Sequence, residues 1–60
     1  MNQKHALMTV GEVAVYLKVH PKTIYGLAKR KELPSFRIGR EYRFRQSDID
    51  KWMRRPVKKP

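Results

Sequence analysis

The chain has 60 residues, which is enough for one small domain and too few for a large substrate cavity. It contains no cysteine, so neither a disulfide nor a thiolate metal site can stabilise it. Fifteen lysines and arginines face five acidic residues, and the formal net charge is +10. Such an excess favours a polyanionic partner, with nucleic acid first and an anionic membrane surface second.

The positive charge is concentrated in the middle of the chain. Eight basic and only two acidic residues lie from Lys22 to Arg45. The alternative interpretation is that the charge only keeps a small protein in solution. No apolar run approaches the roughly 20 residues that a membrane-spanning helix needs, and the N-terminus lacks the pattern of a secretory signal. We therefore expect a cytoplasmic protein with no membrane partner.

A first helix is predicted from about Val10 to Lys18. Residues 1–8 show no sustained period, and we expect that segment to be flexible. Thr9 and Glu12 have the spacing of a capping box, which marks the beginning of a helix. One apolar stripe at helical spacing follows, formed by Val10, Val13, Ala14 and Leu17.

A second helix is predicted from about Pro21 to Lys31. Proline suits the first turn of a helix, and Leu33–Pro34 ends the helix because the residue before a proline avoids the helical region. A linker of only about three residues makes the two helices cross at a large angle, as in a helix-turn-helix. The side chains predicted to pack inward are Val19 in the turn and Ile24, Leu27 and Ala28 on the helix.

Alternating apolar and basic residues predict a β-hairpin from Phe36 to Arg45. A two-residue turn at Gly39–Arg40 would mix apolar and basic side chains on each face of the hairpin. A three-residue loop sorts them, and a slip of one residue would invert every side chain. We therefore predict the three-residue loop, with Ile38 opposite Tyr42, Arg37 opposite Arg43 and Phe36 opposite Phe44.

A third helix is predicted to begin at Ser47 and to end near Arg54. Ser47 and Asp50 have the spacing of a capping box with Asp in place of Glu. Residues 55–60 form a basic tail that we expect to be disordered. The predicted domain therefore covers residues 9–54. Its fold is mainly α with a small β-hairpin, a winged helix-turn-helix in the order helix–turn–helix–hairpin–helix.

The second helix is the candidate recognition element, because its outward face carries basic and hydrogen-bonding side chains and no acid. An α-helix fits the major groove of duplex DNA, where each base pair shows a distinct pattern of donors and acceptors. The alternative is an ordinary solvated face. Gly26 is either a tolerated surface glycine or a point of close approach to DNA. The candidate contacts are His20, Lys22, Thr23, Tyr25, Gly26, Lys29 and Arg30.

The hairpin is the second candidate contact. In the predicted register Arg37 and Arg43 lie side by side, with Arg45 beyond them and Arg40 at the tip. Like charges opposed across two strands are unfavourable unless an anion lies over them. We therefore expect these arginines to contact a phosphate or a narrow minor groove. The alternative is an ordinary cationic surface.

Other chemistries have little support in the sequence. His5 and His20 lack the spacing of metal ligands. The sequence contains no recognisable pair of nucleophile and general base, and it has no glycine-rich phosphate loop. We therefore predict no catalytic residue, no metal site, no cofactor and no enzymatic activity. Two other classes stay open: a protein-interaction adaptor of the antitoxin type, and a single-strand or RNA-binding module that uses Phe36 and Phe44.

Five segments in this order carry a resemblance to a known family: Leu7–Ala14, His20–Tyr25, Glu32–Arg40, Tyr42–Phe44 and Ser47–Trp52. Together they resemble the excisionase-type, MerR-like helix-turn-helix domains of phage excisionases and small mobile-element regulators. The resemblance covers about Leu7 to Met53, nearly the whole predicted fold.

The resemblance implies binding to double-stranded DNA, with the second helix in the major groove and the wing on the backbone or minor groove. Thr23 and Tyr25 match the recognition-helix motif, and Arg37, Arg40 and Arg43 match the wing. The implied roles are a small transcription regulator or an excisionase-like accessory of recombination, with a recombinase or a second copy on an adjacent site as partner. Gly26 departs from the family, which usually has a larger, often basic residue there. The effector domain of MerR-type regulators is absent from this sequence, so no small-molecule effector is expected.

Overall fold

The computed structural model describes residues 6–55 and contains three helices and three strands. In chain order these are β1 (Leu7–Met8), α1 (Val10–Leu17), α2 (Pro21–Lys29), β2 (Phe36–Ile38), β3 (Glu41–Arg45) and α3 (Gln46–Arg54). The strands form one antiparallel sheet in the order β1-β3-β2. The fold is mainly helical with a hairpin, as predicted. No helix within residues 6–55 is long and apolar enough to cross a membrane.

Helix α1 begins with the predicted capping box. The Glu12 N–H donates to Thr9 Oγ1 at 3.1 Å, and the Thr9 N–H donates to Glu12 Oε1 at 2.8 Å. The helix ends at Leu17, and its C-cap Lys18 has a φ of 59°, in the left-handed region. The Val19 N–H then reaches back to the Ala14 carbonyl at 3.0 Å, which is the closing bond of a Schellman motif.

Helix α2 begins at Pro21, as predicted, and His20 caps it. The Lys22 N–H donates to His20 Nδ1 at 3.0 Å. The helix ends at Lys29 rather than at the predicted Lys31, because Lys31 has a φ of 62° and leaves the helix. A second Schellman motif closes this end, with the Glu32 N–H donating to the Leu27 carbonyl at 2.9 Å.

The predicted hairpin register is wrong. The turn between β2 and β3 has two residues, and the observed opposite pairs are Phe36 with Arg43, Arg37 with Tyr42 and Ile38 with Glu41. The reason lies in Gly39, whose φ of +63° at the first central position suits a type II′ turn, the kind that matches strand twist. The two strands therefore turn their aromatic side chains to opposite faces of the sheet.

The N-terminal residues contribute a strand that the sequence analysis missed. Leu7 pairs with Arg45 and Met8 pairs with Phe44, and the Gln46 N–H donates to the Ala6 carbonyl at 3.0 Å. The expected flexibility is therefore wrong for Leu7 and Met8. The part of that prediction that concerns residues 1–5, and the predicted disorder of 56–60, lie outside the described residues.

The predicted start of α3 is also wrong. The helix begins at Gln46, directly after β3, with Arg45 as its N-cap and no side-chain capping bond. Ser47 lies inside the helix because β3 continues through Arg45 and leaves no separate loop. The helix is held in place by the Trp52 Nε1–H, which donates to the Glu32 carbonyl at 2.8 Å.

A second bond joins α3 to α1. The Tyr16 hydroxyl donates to Asp50 Oδ1 at 2.6 Å, and this bond raises the pKa of Tyr16 above its usual value. The core lies between the helices and the sheet, and Val19, predicted to pack between the helices, is 40% exposed instead. The buried residues are Val13, Ala14, Ile24, Ala28, Leu33, Phe44 and Ile49.

Phe44 and Phe36 provide a test of the register. Phe44 is fully buried and Phe36 is half-buried on the opposite face. We expect Phe44→Ala to cost about 3–5 kcal/mol, which is comparable to the whole stability of a chain this size, about 3–9 kcal/mol. The matched variant Phe36→Ala should cost about 1 kcal/mol. Thermal unfolding followed by circular dichroism measures both, and equal losses would contradict the observed register.

Lys18 provides a test of backbone strain. The left-handed conformation costs a non-glycine residue about 1–2 kcal/mol, whereas a glycine loses about 0.5–1 kcal/mol more entropy on folding. Lys18→Gly should therefore raise the free energy of unfolding by about 0.5–1 kcal/mol. Lys18→Ala keeps the strain and should give no such gain. An unchanged Lys18→Gly variant would show that the turn is not strained.

Candidate nucleic-acid interface

The exposed face of α2 has the chemical groups that the sequence analysis predicted. Ile24 and Ala28 are buried on its inner side, and Tyr25 is 53% exposed on the outer side. The helix contains no acidic residue. We call this outer side the α2 face, and it comprises Lys22, Thr23, Tyr25, Gly26, Lys29 and Arg30, all exposed except the half-buried Gly26.

His20 adds a donor at the N-terminus of α2. Its Nδ1 accepts the Lys22 N–H, so the neutral ring carries its proton on Nε2. The residue is exposed, which leaves the Nε2–H free to donate to an external acceptor. The capping role and a contact role for His20 are therefore compatible, because they use different ring nitrogens.

The space left by the missing side chain of Gly26 is occupied by another residue of the chain. A Cβ at this position would lie 3.2 Å from Arg30 Nη1. The Arg30 guanidinium thus lies back across the glycine, and its Nε donates to Glu32 Oε2 at 2.9 Å. A larger residue at Gly26 would displace this guanidinium.

The α2 face and the hairpin are joined by two stacking contacts. The rings of Tyr25 and Tyr42 meet edge to face, with centroids 5.8 Å apart and planes at 76°. The Arg37 guanidinium lies over the Tyr42 ring, 5.0 Å from its centroid. Both geometries are favourable. Side chains of α2, β3 and β2 therefore form one continuous surface.

The hairpin arginines do not share one face as predicted. Arg37 lies on the side of Tyr42, whereas Arg43 and Arg45 lie on the opposite side with Phe36. Arg45 stacks over the Phe36 ring at 5.2 Å. The predicted apposition of Arg37 and Arg43 is wrong, because Tyr42 is the residue opposite Arg37. Arg40 is exposed in the turn.

The basic residues divide into paired and unpaired groups. Arg43 forms an ion pair with Glu41 at 2.7 Å, and Arg45 forms one with Asp48 at 3.6 Å. Exposed pairs of this kind contribute about 0–1 kcal/mol and can exchange partners. Within residues 6–55, the candidate contacts that form no ion pair with a carboxylate are Lys22, Lys29, Arg37 and Arg40.

An open groove of about 510 Å³ lies between the end of α2 and β2. Three cationic residues line it, namely Lys29, Lys31 and Arg37, together with Ser35 and Tyr42 among others. No acidic residue is among its lining residues. We call it the cationic groove. Lys31 was not among the predicted contacts, because nothing in the local sequence distinguishes it from its basic neighbours.

Metal binding has no support in the part of the chain that the structure describes. Residues 6–55 contain no group of three or more histidine, aspartate or glutamate side chains that could hold a metal ion. The groups at the surface of α2 and the hairpin are instead hydrogen-bond donors and cations, which suit an anionic partner.

Comparison with known proteins agrees with the fold. A family model described as a helix-turn-helix domain matches residues 7–56. A protein from two strains of Mycobacterium tuberculosis, whose name provisionally assigns it DNA binding, is 45% identical over 40 residues. The uncharacterized protein YvgK of Bacillus subtilis is 41% identical over 44 residues.

These relatives are longer than the chain. The match to the M. tuberculosis protein covers 67% of this chain and 51% of the relative, and the match to YvgK covers 73% and 14%. No solved structure matches the chain at a significant level. Because the family model covers residues 7–56 of the 60-residue chain, the protein belongs to the helix-turn-helix domain family.

Proposed function

We propose that this protein is a non-enzymatic module that binds double-stranded DNA, with the α2 face in the major groove and the hairpin on the adjacent backbone. The observation that carries the proposal is the continuous surface from Tyr25 through Tyr42 to Arg37. It joins a helix face without acids to a hairpin with unpaired arginines. Such a surface is complementary to a curved polyanion.

The α2 face supplies the groups for sequence recognition. Lys22, Thr23 and Tyr25 lie in the first turns of α2, next to the free Nε2–H of His20. The N-terminal part of a recognition helix is the part that contacts base edges in helix-turn-helix proteins. Lysine hydrogen-bonds to the O6 and N7 atoms of guanine, and the methyl group of threonine contacts the methyl group of thymine. We assign the specific contacts to these residues.

The hairpin supplies contacts that depend less on sequence. Arg37 and Arg40 are exposed and form no ion pair with the carboxylates of residues 6–55. Phosphate contacts of this kind set the position of a protein on the duplex and carry little sequence information. Arg43 and Arg45 lie on the opposite face of the sheet and contribute mainly to long-range attraction in this proposal.

The biological role that we propose is that of a small transcription regulator or an excisionase-like accessory of recombination. The resemblance to excisionase-type, MerR-like domains and the name of the M. tuberculosis relative both support DNA as the partner. A single module of this size reads few base pairs. Useful affinity therefore requires a second copy on an adjacent site, or a partner such as a recombinase.

A single-strand or RNA-binding role fits the arrangement of aromatic residues poorly. Such modules stack several bases on aromatic rings that share one face. Phe44 is fully buried here. Arg45 lies over the Phe36 ring, and Tyr42 contacts both the Tyr25 ring and the Arg37 guanidinium. No pair of these rings offers a common platform.

The first test is selection from a randomised duplex pool, with anisotropy titration of the enriched sequence. About 4–6 neutralised phosphates should give a slope of about −4 to −5 for log affinity against log salt. A single-stranded pool of the same length is the control. Absence of enrichment together with absence of salt dependence would exclude the duplex proposal.

The second test separates specific from non-specific contacts. Thr23→Ala should reduce the ratio of specific to non-specific affinity by about five- to a hundredfold, since a base contact is worth about 1–3 kcal/mol. The comparison variant Arg40→Ala should weaken binding to all duplexes alike and reduce the salt slope by about 1. A protein-interaction adaptor would tolerate both changes. If Thr23→Ala instead weakens binding to all duplexes equally, Thr23 is not a sequence-specific contact.

A further inference from the structure

Lys31 has a backbone conformation that is unfavourable for lysine. Its φ of 62° lies in the left-handed region, and it occupies the position after the helix end where a Schellman motif usually has glycine. Its N–H donates to the Ala28 carbonyl at 3.0 Å, so the strained conformation is part of the closure of α2. A glycine would satisfy the same bond without strain.

The helix end does not explain a lysine at this position. A cation near the C-terminus of a helix is favourable, but Lys29 already lies in the last turn of α2. Arg30 follows it as the C-cap. Strained residues that persist in a fold are concentrated at functional sites. The side chain of Lys31 therefore requires another reason.

The cationic groove supplies that reason. Lys31 lines it beside Lys29 on α2 and Arg37 on β2. Arg37 is held there by its stack on Tyr42. Lys31 itself is exposed and forms no ion pair with a carboxylate of residues 6–55. Three cations, two from the end of α2 and one from β2, thus line one open groove.

We propose that Lys31 is a phosphate-binding residue, and that the cationic groove holds the sugar–phosphate backbone of one DNA strand between α2 and the hairpin. This inference rests on the proposed binding of duplex DNA. Lys31 completes a site in which Lys29 approaches the backbone from the helix and Arg37 approaches it from the sheet. The strained backbone is retained because glycine would remove this cation.

The consequence is a trade-off between stability and binding at a single residue. Lys31→Gly relieves the strain and removes the charge, so its melting temperature should rise by about 2–8 °C. Its affinity for duplex DNA at low salt should fall by about three- to tenfold, and its salt slope should become shallower by about 0.9. Lys31→Arg keeps the charge and should retain the slope.

Two control variants separate the charge from the conformation. Lys51→Gln removes an exposed charge on α3, which contributes no residue to the groove, and it should leave the slope unchanged. Lys31→Gln removes the charge and keeps the strain, so it should lower affinity without a rise in melting temperature. Circular dichroism and anisotropy titration measure the two quantities.

A scan of single methylphosphonate substitutions in the duplex identifies the contacted phosphate. When the methylphosphonate is at that position, the wild-type protein and Lys31→Gly should bind equally well. The phosphate charge that Lys31 contacts is then absent, so the lysine gives no advantage. An unchanged slope for Lys31→Gly, or an equal loss for Lys51→Gln, would overturn the assignment of Lys31 while wild-type binding still supports the proposed function. Absence of duplex binding by the wild-type protein would instead refute the proposed function itself.

Discussion

The burial of Phe44 is the constraint on which the rest of the structure depends. This side chain is fully buried, and β3 is the central strand of the sheet. Side chains alternate along a strand, so a buried Phe44 turns Tyr42 to the same side and Arg43 to the other. The position of Tyr42 then decides which arginine meets α2. Arg37 lies opposite Tyr42, and Tyr42 links it to Tyr25 on the α2 face.

The small size of the core explains why the ends of the helices matter so much. Seven residues of the described range 6–55 form the buried cluster, and a chain of this length without disulfides has little stability in reserve. Two helix ends nevertheless carry a lysine in the left-handed conformation, Lys18 and Lys31. Natural proteins keep such unfavourable residues where function gains from them. The strain is small enough to be tolerated because hydrogen bonds close both helix ends.

The helices could be predicted from the sequence because their signals are local. The Thr9–Glu12 capping box and Pro21 at the start of α2 act within one turn, and both are observed. The hairpin register could not be predicted in this way. Phe36 and Phe44 alternate with basic residues in either register, and the choice depends on the positive φ of Gly39 and on which face of β3 meets the helices.

The other errors have the same origin. Leu7–Met8 is too short to show a period of its own, and it is a strand because it pairs with Phe44 and Arg45 of β3. The cationic groove and the position of Lys31 in it depend on the left-handed backbone conformation after α2. A lysine in the sequence does not indicate that conformation. Among the candidate contacts, those on the α2 face could be predicted from helical periodicity. The grouping of the hairpin arginines could not, because it depends on the strand register that the fold selects.

The division of the positive charge has a physical consequence for binding. Arg30, Arg43 and Arg45 each have a carboxylate partner, whereas Lys29, Lys31 and Arg37 converge on a groove without acidic lining. All six attract a polyanion at long range, because the field of the protein depends on the summed charge. Only close contacts release counterions from a duplex. The salt dependence of binding therefore reports the unpaired cations of the groove, of α2 and of the hairpin turn, and the net charge of +10 overstates the number of contacts.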